Sequence, residues 1–152
     1  MALAVVVNLD LFHGEADWEE SAAGVAGLLR ESIRRNVRYL RKHPECPSPF
    51  SKLADGSFLL RYRLDHALEP FETFRSIPEI LHPSDGGPPG SDCDGIVPYV
   101  VAWRIVREND PKADVFLQWK RGQVPGTLTY HVLEKNGRGE IGDPCRTLGM
   151  GR

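Results

Sequence analysis

The sequence predicts an α+β domain, with helices first and an antiparallel meander last. Three observations predict it. Apolar residues recur at spacings near three and four from Asp17 to Lys42, and a second apolar helical stretch runs from Ile96 to Val106. The last third breaks into short β-prone runs separated by turn-forming pairs, which segregates helix from sheet along the chain. A length of 152 residues suits one hydrophobic core, so residues 1–16 are read as an N-terminal arm or strand and residues 17–152 as a single domain.

The elements follow in order. Met1 to Phe12 is apolar but has no basic leader and is too short to span a bilayer, which reads as an intracellular start. Within it, Ala4 to Leu9 is short and β-branched. This is expected as a strand in the domain's own sheet, the alternative being an arm that pairs with a neighbouring chain. The first helix carries Trp18, Val25, Leu28, Leu29, Ile33, Val37 and Leu40 on one stripe, and Arg30, Arg34, Arg38, Arg41 and Lys42 on a face read as solvated. Pro44, Pro47 and Pro49 end it.

Asp55-Gly56 signals a tight turn, and Ser57 to Leu64 partly alternates in polarity, as a strand does. Ile77 to Leu81 reads as a helical turn with proline near its start, and Pro83 to Gly90 is too rich in breakers to be regular. That loop runs into Cys93, just before or within the first turn of the apolar helix. Strands are expected from Asp114 to Trp119 and from Leu128 to Glu134, joined by a turn through residues 121–126. Asn136-Gly137 is the strongest short hairpin signal, and a last strand from Glu140 to Asp143 would be closed at an edge by Pro144.

Composition excludes several classes of function. A 41% apolar and 26% charged chain is an ordinary globular composition, and a net charge of −2 gives no electrostatic reason to bind nucleic acid. No membrane partner and no cofactor are expected. Three cysteines, Cys46, Cys93 and Cys145, leave one thiol unpaired in any disulfide scheme, which fits a reducing compartment. A metal reading would use His82, Asp85, Cys93 and His131, whose spacings match no standard zinc pattern.

The chemistry-bearing set is Cys93, His131 and Asp143. A cysteine attacks as its thiolate, and a helix N-terminus favours that anion, so Cys93 is the candidate nucleophile. His131 lies on an expected strand, where its ring would take the thiol proton and return it to a leaving group. Asp143 follows across the Asn136-Gly137 hairpin, which would bring it beside the imidazole to fix the tautomer. Each residue alone is more often structural, but nucleophile, base and orienter in this order on these elements form a coherent set.

Ser91-Asp92-Cys93-Asp94-Gly95 resembles the Gly-Asp-Cys-Asp-Asp motif of transglutaminase-like cysteine proteins, a branch of the papain-type fold. Tyr130-His131-Val132 and Asp143-Pro144 resemble their His and Asp-Pro elements. The run from Phe71 to Leu81 and the ending from Gly142 to Met150 look like those of small bacteriophage members, whose close is Asp-Pro-Ser-Arg-x-Leu-Gly-Met. The helix from Leu28 to Lys42 followed by His43-Pro44 is similar to their usual start. The resemblance implies a papain-like core with a Cys-His-Asp triad, in a phage or prophage protein often encoded among head and tail parts.

Two positions depart from that pattern. Gly95 stands where a second acidic residue is usual. Pro98 falls where an uninterrupted helix would need a backbone donor, and is harmless only if the helix begins near Asp94 to Val97, which would leave Cys93 just outside it. Asp92-Cys93-x-Gly95-Ile96-Val97 also resembles the cysteine motif of NlpC-type peptidoglycan hydrolases, but His131-Val132-Leu133-Glu134 lacks the apolar continuation of that branch.

Two functions follow. The first is a virion-associated component of head, neck or tail, in oligomeric assembly with other phage structural proteins, found in the virion and in host cytoplasm before assembly. The second is an active cysteine peptidase or amidase, acting on peptidoglycan peptides or virion proteins through the triad.

Overall fold

The structure, a computed structural model, describes residues 6–7, 15–64, 72–121 and 128–151. Its first element, β1 (Val6–Val7), pairs antiparallel with β3 (Glu72–Thr73), so the described part of the N-terminal segment joins a strand of its own chain. The rest of that segment, Phe71, and residues 122–126 of the expected turn lie outside the described residues.

Helix α1 (Glu15–Lys42) forms where the apolar stripe predicts, and it buries Val25, Leu29, Ile33 and Leu40 against the core. Its C-terminal carbonyls, which have no partner within the helix, are met from outside. Arg107 donates through Nη2 to the carbonyls of Leu40 and His43, both at 3.0 Å. The following segment is pinned by Tyr99, whose hydroxyl donates to the Pro47 carbonyl at 2.5 Å and lies 3.3 Å from the Cys46 sulfur. Cys46 is thus a buried packing residue.

The strand expected from Ser57 to Leu64 is only β2 (Arg61–Tyr62), and it pairs parallel with β4 (Gly90–Ser91). Gly90 is required at this crossing, because a Cβ there would stand 2.0 Å from the Arg61 carbonyl oxygen. Between them, α2 (Ile77–Leu81) begins where the Glu79 carboxylate accepts the Ser76 backbone N–H at 2.8 Å. The breaker-rich loop after it is tied down by Arg63, which contacts Asp85 at 2.6 Å and the Pro88 carbonyl at 3.1 Å. The chain therefore enters Cys93 from a fixed direction.

Helix α3 (Cys93–Arg107) is the core of the molecule, with residues 94–102 buried along its whole circumference. It packs on α1 and on a three-stranded antiparallel sheet of β5 (Asp114–Arg121), β6 (Leu128–Lys135) and β7 (Ile141–Gly142), in that order. Helix-to-sheet contact is locked by Arg104, which donates to both oxygens of the nearly buried Glu134 carboxylate at 2.5 and 2.7 Å.

The antiparallel meander and the leading helices agree with the α+β expectation. Two local expectations differ. The β6–β7 connection is a five-residue loop closed by Asn136 and Glu140, with its positive φ at Gly139 rather than Gly137. Gly137 serves close packing instead, since its N–H donates to Asp110 and a Cβ there would lie 2.2 Å from that carboxylate. Pro144 does not simply end a strand edge: it opens α4 (Pro144–Thr147).

Candidate functional site

Cys93 is the first residue of α3, which places it within the first turn, and Pro98 lies inside the helix, so the later start that would have left Cys93 outside does not occur. Proline at this position forfeits a single intrahelical bond, and burial of the surrounding residues outweighs that loss. Asp92 makes the start possible. As N-cap, its carboxylate accepts the Asp94 backbone N–H at 3.2 Å, while its own carbonyl takes the N–H of Ile96. Gly95 has a steric role. A Cβ there would stand 2.3 Å from the buried Ser91 Oγ, so the acidic residue usual in the resembling motif does not fit this backbone.

The helix N-terminus does not produce a low-pKa thiol, contrary to the expectation from placement alone. Burial pushes the Cys93 thiol well above its ordinary value, and the adjacent Asp94 carboxylate pushes it further, with Asp92 and Cys145 acting in the same direction. The backbone N–H of Val132 opposes them by favouring the anion. Desolvation and two flanking carboxylates outweigh a helix dipole worth about 0.3–1 kcal/mol. Cys93 rests as a protonated thiol, its sulfur 4.0 Å from Asp94 Oδ1.

His131 and Asp143 are brought together. Strand β6 carries the imidazole, the loop after β7 carries the carboxylate, and Nε2 lies 3.0 Å from Asp143 Oδ2. Asp143 is doubly fixed, because it also N-caps α4 by accepting the Arg146 backbone N–H on Oδ1 at 3.2 Å. The Arg146 guanidinium shares Oδ2 with His131 at 3.5 Å, on a largely exposed side chain. Since a carboxylate accepts, the bond assigns a proton to His131 Nε2, so that in the neutral ring the lone pair is on Nδ1.

Cys93 meets the same strand one residue along. The β6–β7 ladder stops at Glu134 and Gly142, which leaves the Val132 amide to face the sulfur. Among the described residues, Cys93 and His131 form no hydrogen bond with each other. The triad positions are thus a formed imidazole–carboxylate pair and a thiol lodged against the residue next to the imidazole.

Several residues of the site were not identified from sequence. Tyr130 donates its hydroxyl to Asp94 Oδ2 at 3.0 Å, which ties β6 to the first turn of α3, and packs at a tilted angle on Trp119. Tyr62 packs against the same core as Cys93. Burial raises its phenol pKa well above the ordinary value, with the charges of Cys93, Asp92, Cys145 and Asp94 adding to the effect. Cys145, fully buried at the start of α4, has its thiol raised by burial and then by Asp143, Asp92 and Asp94. The period-two pattern around His131 could have revealed Tyr130, but nothing local signals Tyr62.

No group of three or more His, Cys, Asp or Glu side chains suited to a metal ion occurs among the described residues, and no helix among them is long and apolar enough to cross a membrane. Comparison with known proteins gave no match, whether to a family model, to a curated protein or to a solved structure.

Proposed function

We propose that this chain is a cysteine hydrolase or acyl transferase acting on amide bonds of a peptide or protein, built on a papain-like, transglutaminase-like core. The observation that carries this reading is the His131 Nε2–Asp143 Oδ2 bond of 3.0 Å beside a helix-terminal cysteine whose sulfur faces the Val132 amide. A single oriented imidazole with its other nitrogen unprotonated is what a thiol nucleophile needs.

Because the resting thiol is protonated, proton transfer accompanies attack. The Cys93 S–H proton goes to His131 Nδ1 as the S–C bond forms and the carbonyl π pair moves onto oxygen. That oxyanion collapses, the C–N bond breaks, and the amine leaves with the proton from the imidazolium. Water, or a second amine, then attacks the thioester with His131 as base, which returns the thiol and releases acid or new amide. Asp143 stabilises the imidazolium throughout without taking its proton.

The bacteriophage-like motifs support placing this domain in a virion, with other phage structural proteins as its neighbours and the host cytoplasm as its location before assembly. Peptidoglycan peptides or virion proteins are then the substrate class. A second reading, a structural component of head, neck or tail that does not use the triad, is favoured by one observation: burial and two carboxylates hold Cys93 protonated. Purified particles and cross-linked peptidoglycan separate the two. Amide cleavage that is abolished by Cys93→Ser at unchanged thermal stability supports the enzyme. A fixed copy number in particles with no cleavage of either substrate supports the structural role.

A further inference from the structure

We infer that Arg146 is a specificity-determining residue, its guanidinium binding a carboxylate on the leaving-amine side of the scissile bond, so that the preferred substrate is an acidic peptide. This rests on the acyl-transfer reading above. The backbone at Arg146 is held in place. Pro144 and Cys145, the residues before it in α4, are buried. The Arg146 N–H donates to Asp143 Oδ1 at 3.2 Å, and its carbonyl accepts the Gly149 N–H at 3.2 Å. From this fixed base the side chain meets Asp143 again, with Nε 3.5 Å from the Oδ2 that lies 3.0 Å from His131 Nε2. One carboxylate oxygen therefore sets the guanidinium beside the imidazole.

Most of that guanidinium is unused. The side chain is 77% exposed, and among the described residues neither Nη makes a hydrogen bond. Its Nε contact with Asp143 is longer than a strong charge-assisted bond of about 2.7–2.9 Å. A planar fork with both Nη groups free matches a second carboxylate, which it can hold bidentately. The side of the substrate follows from the proton path. His131 protonates the leaving amine, so the imidazole lies against the leaving side of the bond, and the guanidinium lies beyond it on Asp143. A carboxylate one or two residues past the scissile bond is then within its reach. The acyl side is unlike this, because the Asp94 carboxylate is 4.0 Å from the sulfur and the Asp92 carboxylate caps the same helix turn. Repulsion near the sulfur and attraction beyond the imidazole together select where the acidic residue sits.

The test resolves an acetyl-enzyme with two acceptors that differ in one charge. The full-length protein is acetylated on Cys93 by p-nitrophenyl acetate, and Gly-Asp amide and Gly-Asn amide are added as an equimolar pair. By microscopic reversibility the acceptor amine takes the place of a leaving amine. The free amine attacks the thioester, its proton passes to His131, the C–S bond breaks, and the proton returns to the sulfur, so each acceptor departs as its N-acetyl derivative, counted by mass spectrometry. An exposed ion pair shifts such a competition by about two- to fivefold. The wild type is expected to favour the Asp acceptor by about that factor, and to lose the preference both in Arg146→Gln and in about 1 M salt, where the screening length is about 3 Å. Only the product ratio is read, so a slower Arg146→Gln through its contact with Asp143 leaves the answer intact. Equal products from the wild type, or a preference that survives either change, overturns the role of Arg146. Release of p-nitrophenolate by the wild type that is no faster than by Cys93→Ser overturns the acyl-transfer reading, and this inference with it, so the two failures are distinguishable.

Discussion

Replacing Asp94 by Asn isolates the electrostatic control of the nucleophile. The carboxylate lies 4.0 Å from the Cys93 sulfur, and its other oxygen accepts from Tyr130, a bond the Asn carbonyl oxygen preserves. A pair of unit charges at this separation interacts by about 1 kcal/mol in water and about 4 kcal/mol at the effective dielectric of a protein surface. At about 1.4 kcal/mol per pKa unit, loss of the charge lowers the Cys93 pKa by about 0.7–3 units. Thiolate nucleophilicity falls as its pKa falls, with a coefficient of about 0.4–0.5, so roughly half of the shift survives in the rate. Iodoacetamide should therefore alkylate Cys93 about twofold to thirtyfold faster in Asp94→Asn, read by peptide mass spectrometry under conditions where most of the thiol is protonated. An unchanged or slower rate, in a variant with wild-type melting temperature, would refute the assignment of Asp94 as the charge that holds the thiol protonated.

Further predictions concern the frame and its pH dependence. Arg104→Met leaves the Glu134 carboxylate nearly buried and unpaired, and should lower unfolding free energy by about 2–4 kcal/mol in urea titrations. Gly95→Ala drives a methyl into the buried Ser91 side chain and should cost about 1–3 kcal/mol, with much of the loss recovered in the Ser91→Gly double variant. The thiols of Cys93 and Cys145 are raised in the folded state above an ordinary value of 9.0, so the unfolded chain loses those protons first as pH rises. Stability from this source is complete below that value and declines above it, so melting temperature under reducing conditions should fall with alkalinity, and less steeply in Cys145→Ala. The alkylation rate of Cys93 should keep rising past the pH at which a free thiol has levelled off.

The parts of this molecule that were legible in the sequence are those specified by local period. The stripe of α1 and the β5–β6 pair follow from alternation and spacing, and the short helix α2 from its proline and Glu79. The parallel β2–β4 crossing was not legible, because it joins residues 61–62 to residues 90–91 through backbone bonds and a glycine contact that leave no local pattern. The missing donor of Pro98 argues locally for a later start, whereas the buried surface of α3 and the Asp92 cap determine where that helix begins.

The site divides in the same way. The hairpin expectation correctly anticipated the His131–Asp143 contact, although the connecting loop closes through Asn136 and Glu140 with its positive φ at Gly139. The pKa of Cys93 went the other way from its helix placement. Helix position is written in the sequence, but desolvation and the charges of Asp94, Asp92 and Cys145 emerge only when distant segments converge.

The central claim, that Cys93, His131 and Asp143 form an acyl-transfer site, is tested most directly by trapping the acyl-enzyme. The intact protein is exposed briefly to p-nitrophenyl acetate, quenched in acid and digested, and the acetylated residue is located by mass spectrometry. The account predicts a single thioester on Cys93 that decays on standing, forms much more slowly in His131→Ala, and is absent in Cys93→Ser. Acetylation scattered over lysines and the other cysteines, at a rate indifferent to His131, would contradict it.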